Sequence, residues 1–291
     1  MIICRTVDEI REFVRAAKKR GETVGFVPTM GYFHEGHLTL MREARKSCGA
    51  VVVSIFVNPL QFGPREDFRE YPRDFARDEK MAREAGVDAL FAPPVEEMYP
   101  EGFSTYVEVE GLTECLCGLS RPGHFRGVAT VVAKLFNIVL PDRAFFGQKD
   151  AQQVLVVKRM VRDLNMPLEV VAVPTVREPD GLAMSSRNVY LNPREREAAR
   201  VLFRSLKKAE EAVARGERDT EEIVRLVREE IAGEPLAAVD YVEIRTLPDL
   251  REAAGLAGPA LLALAVRIGK TRLIDNTVLN PGGMADAFNL V

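Results

Sequence analysis

Two of the chain's three histidines, His34 and His37, stand three residues apart in Phe33-His34-Glu35-Gly36-His37-Leu38. Before them Thr23–Val27 is a short apolar run and Pro28–Gly31 has loop composition. After them Leu38, Met41 and Ala44 keep helical spacing. The pattern predicts strand, turn and helix, with both imidazoles at the helix mouth. A helix opening carries unpaired N–H groups and a partial positive charge, which makes it an anion site. Side chains three apart share a face, so both imidazoles can address the same anion. Taken alone, the pair reads equally well as two surface histidines at a helix start.

Three further polar clusters have the right types for phosphate chemistry. Lys149 stands between Gln148 and Asp150 just past an apolar run, Ser185, Ser186 and Arg187 occupy a loop, and Arg121, His124 and Arg126 precede a helix. Imidazole donors, a lysine, an arginine and paired hydroxyls are what a triphosphate attacked at its α-phosphorus needs. They would hold the phosphates and neutralise charge on the departing pyrophosphate. No G-x-x-x-x-G-K-[ST] occurs, so a P-loop mechanism is excluded. Singly, each residue has a plainer reading. Lys149 could be a solvated helix-start lysine, Gln61 and Gln153 surface amides, Ser185 and Ser186 turn residues, and His124 a helix cap. Tyr71, Asp78 and the charged helix around them read as solvated surface. His34, His37 and His124 could also make a three-imidazole zinc site, although hydrolase histidines of that kind sit four apart around a glutamate.

The elements that must position these groups follow from periodicity. Val7–Arg20 is amphipathic with Ile10, Phe13, Val14 and Ala17 on one face. Ala50–Val57 is a continuous apolar run, the mark of a parallel strand buried on both sides, and it empties into Asn58-Pro59-Leu60-Gln61. Asp74–Ala85 predicts a helix, Val87–Ala92 a strand, Thr105–Val109 a short strand, and 128–139 a long apolar helix. Arg143–Phe146, Ala151–Leu164 and Leu168–Pro174 continue the alternation of strand and helix. Residues 1–175 therefore predict an α/β, doubly wound parallel sheet, whose ligands bind beyond the carboxyl ends of the strands. Residues 176–280 change character. Asn192-Pro193-Arg194-Glu195 opens a helix, Thr220–Ala232 is a second, and Val239–Arg245, Ala260–Ile268 and Thr271–Asp275 are strands. This predicts a smaller α+β domain, with 281–291 as a loose tail.

Composition excludes several classes. Hydrophobic residues make up 47% and charged residues 29% of the 291, as in an ordinary soluble globular protein, and the net charge of −3 offers no nucleic-acid footprint. No apolar run has membrane-spanning length and the N-terminus lacks a signal-peptide core. The four cysteines, Cys4, Cys48, Cys115 and Cys117, form no disulfide framework and read as buried thiols of a cytoplasmic protein.

His34-Glu35-Gly36-His37 matches the H-x-G-H motif of the nucleotidylyltransferase superfamily, and Met184-Ser185-Ser186-Arg187 resembles its K-M-S-K-S loop. With Pro28-Thr29-Met30-Gly31, Asn58-Pro59-Leu60-Gln61-Phe62, Arg121-Pro122-Gly123-His124-Phe125-Arg126-Gly127 and Phe146-Gly147-Gln148-Lys149-Asp150, the chain resembles the pantoate–β-alanine ligase family over nearly its whole length. The resemblance implies a Rossmann-like fold and a two-step reaction. D-Pantoate and ATP would give pantoyl adenylate and pyrophosphate, and β-alanine would then give pantothenate and AMP. It implies that His34, His37, Lys149 and Arg187 are catalytic, with His37 the proton donor. It places ATP against Met30, Gly31, Gly36, Gly147, Gln148, Asp150, Val176, Met184, Ser185 and Ser186. Gln61 and Gln153 would hold pantoate, with Met30, Asn58, Arg121 and His124 nearby. Magnesium would arrive with ATP, no protein metal site is expected, the second domain would close as a lid hinged near Pro174–Pro179, and the enzyme would be a homodimer. The alternatives from the residues are another H-x-G-H nucleotidylyltransferase, a zinc hydrolase, and a nucleotide-binding module without turnover.

Overall fold

The computed structural model describes residues 1–64 and 66–282. Most of the tail expected over 281–291 thus lies outside the described residues. The chain forms two compact units. One comprises Met1–Glu110, Arg121–Gly147 and Val156–Pro174, and the other Gly111–Ser120, Gln148–Leu155 and the stretch from Thr175 onward. The uninterrupted division at 175/176 expected from sequence did not include the two short excursions into the second unit.

The first unit is built on six parallel strands, β1 (Ile2–Cys4), β2 (Val24–Thr29), β3 (Ala50–Ile55), β4 (Ala89–Phe91), β5 (Arg143–Gly147) and β6 (Glu169–Val173). Their spatial order is β1-β4-β3-β2-β5-β6. From β2 the chain winds outward to β3 and β4, then returns to β5 on the other side. This doubly wound α/β sheet therefore switches direction between β2 and β5, and ligands of such sheets bind beyond the carboxyl ends of the strands at that point. Alternate residues explain the two covered faces. Val27, Val51, Val53, Leu90 and Phe145 join Leu40, Met41 and Ala44 of helix Glu35–Ser47 in one buried cluster. On the other face Phe26 meets Phe136 of helix His124–Val139 edge-on at 6.4 Å between centroids, and Phe136 meets Phe146 at 6.3 Å.

Three departures from the sequence reading have local causes. β1 was not foreseen, since three residues are too few to show a period; Ile2 and Ile3 are exposed at the sheet edge. Thr105–Val109 forms no strand. Its Val107 N–H donates to Thr130 Oγ1 at 2.9 Å instead of to a neighbouring strand. The helix expected from residue 128 starts at His124, after Gly123 in the left-handed region at φ +81°.

The second unit pairs three antiparallel strands, β7 (Ala237–Thr246), β8 (Ala260–Ile268) and β9 (Thr271–Leu279), with helices Pro193–Ala199, Val201–Ala214 and Thr220–Ala232. Asn192 and Glu195 form the capping box that their spacing predicts, with Pro193 at the first position. Leu202, Leu206, Ile223 and Val227 pack with Leu262, Leu264 and Val266. β9 runs four residues beyond Asp275 because two buried polar residues interrupt its apolar pattern. Asp275 receives Arg177 Nη1 at 2.6 Å and Nη2 at 3.0 Å. Asn276 Nδ2 donates to the carbonyls of Gln148 and Lys149 at 3.0 and 2.9 Å.

Two substitutions test this packing. A Cβ on Gly127 would lie 2.3 Å from the Leu60 carbonyl oxygen and 2.6 Å from the Gln61 nitrogen. Gly127→Ala should therefore destabilise the first unit by about 1–3 kcal/mol through forced backbone shifts, although alanine is the better helix former. An unchanged or raised urea midpoint would show that the helix and the turn are not in contact. Asp275→Asn leaves Arg177 facing a neutral partner inside the second unit and should cost on the order of 3 kcal/mol. Arg177→Met together with Asp275→Asn should recover part of that loss, whereas equal loss in the single and double variants would mean the charge is not the cause.

Candidate active site

The predicted site residues fall into two sets, one in each unit. In the first unit the chain leaves β2 through a turn that is fixed before it reaches the histidines. Thr29 Oγ1 donates to the Ser54 carbonyl at 2.6 Å and accepts Gly31 N–H at 3.1 Å. Gly31 and Tyr32 follow with φ +84° and +52°. A side chain at Gly31 would be both strained and crowded, since its Cβ would lie 2.9 Å from Ile55 and 3.0 Å from Asp78. Asp78 holds the turn from outside. Its two carboxylate oxygens accept the N–H groups of Tyr32 and Phe33, each at 2.7 Å.

Asp78 and Tyr71 correct the sequence reading, which placed both on a solvated surface. They are 1% and 5% exposed. Burial pushes the Asp78 carboxyl upward in pKa, against the lowering effect of the Phe33 and Tyr32 N–H groups. A signal was present. Phe75, Asp78 and Ala82 occupy the i, i+3, i+7 positions of the inner helix face, so a carboxylate stands where the period asks for an apolar side chain.

His34 is then the N-cap of helix Glu35–Ser47. Its Nδ1 accepts Gly36 N–H at 3.2 Å, while His37 Nδ1 accepts the His34 N–H at 3.4 Å. Two imidazoles thus form the reciprocal capping box usually made by a hydroxyl and a glutamate. Because each Nδ1 is an acceptor, the neutral rings carry their proton on Nε2. The rings lie 4.1 Å apart between centroids, tilted by 34°, and His37 also packs on the buried Phe33 ring at 5.5 Å. In the neutral form the pair thus carries two Nε2–H groups at the positive end of a helix.

The turn after β3 supplies Gln61. Asn58 is 1% exposed. Its Nδ2 donates to Gln61 Oε1 and to the Gly127 carbonyl, both at 3.1 Å, and its Oδ1 accepts Tyr99 Oη–H at 2.8 Å. Gln61 Nε2 points at Met30 Sδ, 3.2 Å away. A second support comes from the Arg121 segment. Arg121 grips Glu66 with Nε at 2.6 Å and Nη2 at 2.8 Å. Its Nη1 lies 3.0 Å from His124 Nε2, and His124 Nδ1 lies 2.8 Å from the Gln61 carbonyl oxygen. Arginine can only donate, so this His124 carries its proton on Nδ1, the opposite tautomer to His34 and His37. Burial would raise the Glu66 pKa, but the Arg121 guanidinium outweighs it and holds the carboxyl at about 2. Tyr99 and Glu66 were missed from sequence, since nothing local ties them to residues 41 and 55 positions away.

Gly147 closes β5, and the chain re-enters the second unit at the turn Gln148–Asp150. Asn276 holds that turn by two carbonyls, leaving Lys149 mostly covered with Nζ 3.8 Å from Asp150. In the helix that follows, neighbouring glutamines differ. Gln152 is buried, donating to the Leu112 and Cys115 carbonyls at 2.8 Å each, whereas Gln153 is partly exposed. Val176 and Met184 are paired across a hairpin by Met184 N–H to the Val176 carbonyl at 3.0 Å. Ser185 Oγ accepts Arg187 N–H at 3.3 Å, Ser186 is buried, and Asn188 ties the loop to Glu178 at 3.0 Å and Ala183 at 3.1 Å. All four cysteines are buried and unpaired with one another. Among the described residues, no three His, Cys, Asp or Glu side chains are gathered to hold a metal ion, and no helix is long and apolar enough to cross a membrane.

Residues 2–278 match the family described as pantoate-beta-alanine ligase. The pantothenate synthetase of Pelotomaculum thermopropionicum is 65% identical over 279 residues, covering 96% of this chain and 99% of that one. The crystal structure of pantothenate synthetase from Thermus thermophilus is 53% identical with a TM-score of 0.91, covering 95% of this chain and 99% of that one. The pantoate-beta-alanine ligase of Francisella tularensis, solved with beta-gamma ATP and beta-alanine, is 33% identical with a TM-score of 0.80, covering 98% of this chain and 99% of that one. With a family match along almost its full length and relatives this similar, the chain belongs to the pantoate–β-alanine ligase family.

Proposed function

We propose that the two polar sets carry the two half-reactions by which this ligase joins D-pantoate to β-alanine. A pantoate carboxylate oxygen attacks the α-phosphorus of ATP, the bond to the β-phosphate bridging oxygen breaks, and pyrophosphate leaves. The β-alanine nitrogen, as the free amine, then attacks the acyl carbonyl of pantoyl adenylate. AMP leaves with the electrons of the mixed-anhydride bond, and the amine loses a proton. The observation that carries this reading is the reciprocal cap, in which the Nδ1 of His34 and of His37 each accept a backbone N–H and Nε2 is left to hold the proton. Two Nε2–H donors at a helix mouth suit an oxyanion whose charge grows as pyrophosphate departs, with His37 donating a hydrogen bond to it and keeping its proton. Lys149 and Arg187 add full positive charge. Ser185 and Ser186 bind the outer phosphates, and Met30, Gly31, Gly36, Gly147, Gln148, Asp150, Val176 and Met184 line the nucleotide.

Gln61 and Gln153 hold the pantoate hydroxyl and carboxylate oxygens, because amides both donate and accept without adding charge beside a reacting carboxylate. Met30 borders the same substrate. Asn58, Arg121 and His124 act on pantoate through Gln61, to which their hydrogen bonds lead. The magnesium ion comes as MgATP, carried by phosphate oxygens, a reading that rests on the family resemblance. An acyl adenylate hydrolyses in water, so the region after Pro174 serves as a lid. A cytoplasmic homodimer is the working form, a reading that rests on the family resemblance.

Rapid-quench assays with ATP and D-pantoate alone should give a stoichiometric burst of pyrophosphate, with steady turnover only after β-alanine is added. His37→Ala and Lys149→Ala should each lower the burst rate by about 10²–10³-fold, the cost of removing one donor from a developing anion. A burst that is independent of pantoate would transfer the chain to other acceptors of an adenylyl group.

The Glu66 pair adds a pH dependence. Its carboxyl titrates near 4.5 when solvated and at about 2 in the fold. A depressed folded value means the stabilisation is complete above about 4.5 and is lost as pH falls toward 2. Glu66→Gln should flatten the decline of the urea midpoint between about pH 5 and 3. A variant whose decline parallels the parent would assign the acid sensitivity elsewhere.

A further inference from the structure

Asp78 lies on a different helix from the histidines, 44 positions after His34 in the chain. Its carboxylate is nevertheless the acceptor for two consecutive backbone N–H groups, Tyr32 and Phe33, immediately before the N-cap. Those N–H groups converge because Gly31 and Tyr32 both adopt positive φ. Successive N–H groups in such a turn form a concavity that binds anions. Here the chain fills that concavity with its own carboxylate, 1% exposed. A non-glycine residue at φ +52° is held there only where the surroundings over-determine it. Two 2.7 Å charge-assisted hydrogen bonds from a buried carboxylate supply that constraint.

The consequence passes directly to the imidazoles. Phe33 is fully buried, its ring stands 5.5 Å from that of His37, and the next residue is the cap whose N–H meets His37 Nδ1. Displacing Tyr32 and Phe33 would shift the His34 N–H and release the bond that sets the His37 tautomer. We infer that Asp78 is a positioning residue for the adenylation step, a buried carboxylate clamp that fixes the turn before His34 and so orients both histidines toward one phosphate. The inference rests on the proposed role of the histidines.

The isosteric variant Asp78→Asn keeps the volume but offers one acceptor and one donor to two N–H groups. Its pyrophosphate burst rate at saturating ATP and pantoate should fall about 10–100-fold, the scale of a misplacement near 1 Å, while the ATP dissociation constant changes less than about 3-fold. The signature that a general packing role would not move is the imidazole ¹⁵N spectrum of the full-length enzyme. With only three histidines in the chain, His34 and His37 should report Nε2–H in the parent and His124 Nδ1–H. In Asp78→Asn the His37 signal should move toward a mixed tautomer while His124 stays put. A folded variant with the parent burst rate and the parent His37 tautomer overturns the inference, and does so even if His37→Ala confirms the histidine role. Loss of rate in neither Asp78→Asn nor His37→Ala instead overturns the underlying reading. If Asp78→Asn does not fold, amide exchange of the parent decides. Tyr32 and Phe33 protected more than about 10³-fold support the clamp, and exchange at the rate of an open loop overturns it.

Discussion

Backbone groups in the loops leaving a parallel sheet have no ladder to bind, and a buried one must find a partner elsewhere. The first unit depends on how this constraint is met. After β2 the acceptor is Asp78, brought from the helix Phe75–Glu84. After β3 the loop's own Asn58 accepts the Leu60 N–H with Oδ1 and donates through Nδ2 to the Gly127 carbonyl and to Gln61 Oε1. The second unit repeats the device, with Asn276 of β9 holding two carbonyls of the Gln148–Asp150 turn and Asp275 holding Arg177. In every case the loop is fixed by one buried polar side chain whose hydrogen bonds join distant stretches of chain. Breaking such a contact leaves an unsatisfied group rather than a lost surface bond, so these positions are costly to change.

The charge distribution fits a local rather than a long-range attraction for nucleotide. The chain as a whole is slightly acidic, at −3, so its net field does not favour a polyanion. In the proposed reading, binding comes from short-range groups, namely a helix mouth, two imidazoles, one lysine and one arginine. Neutral imidazoles have an advantage here. A neutral N–H donor facing phosphate forms no permanent ion pair with substrate, so its contribution can grow as charge develops on a leaving group.

Much of this was legible in the sequence, and the part that was not has a common cause. Runs such as Ala50–Ile55 and caps such as Asn192–Glu195 are local, and they appear where their spacing puts them. H-x-G-H gave the helix mouth because a cap is likewise written within a few residues. Asp78, Glu66 and Tyr99 were not legible, since their partners are 46, 55 and 41 positions away. Composition even misleads there: Asp78 sits among charged residues of an otherwise solvated helix, and only its place on the inner face betrays it. β9 ran past its expected end for the same reason, because Asp275 and Asn276 look like loop residues until their partners are known.

The two nitrogens of each cap imidazole divide the structural role from the proposed chemical one. Nδ1 closes the helix cap, a task that a serine, asparagine or glutamate performs in other helices. Nε2 is then left with the proton, and its direction is set by the cap geometry, not by a flexible side chain. A helix that begins with this pair therefore needs no separate device to select the tautomer or aim the ring. What it does need is a cap residue whose own backbone is immobile, since the His34 N–H is one end of the reciprocal pair. That requirement explains why the three residues before the cap are the most constrained turn in the unit, with one glycine that tolerates no side chain, a second positive φ, and a carboxylate holding both remaining N–H groups. The chemistry of the helix mouth is set by the loop that delivers it.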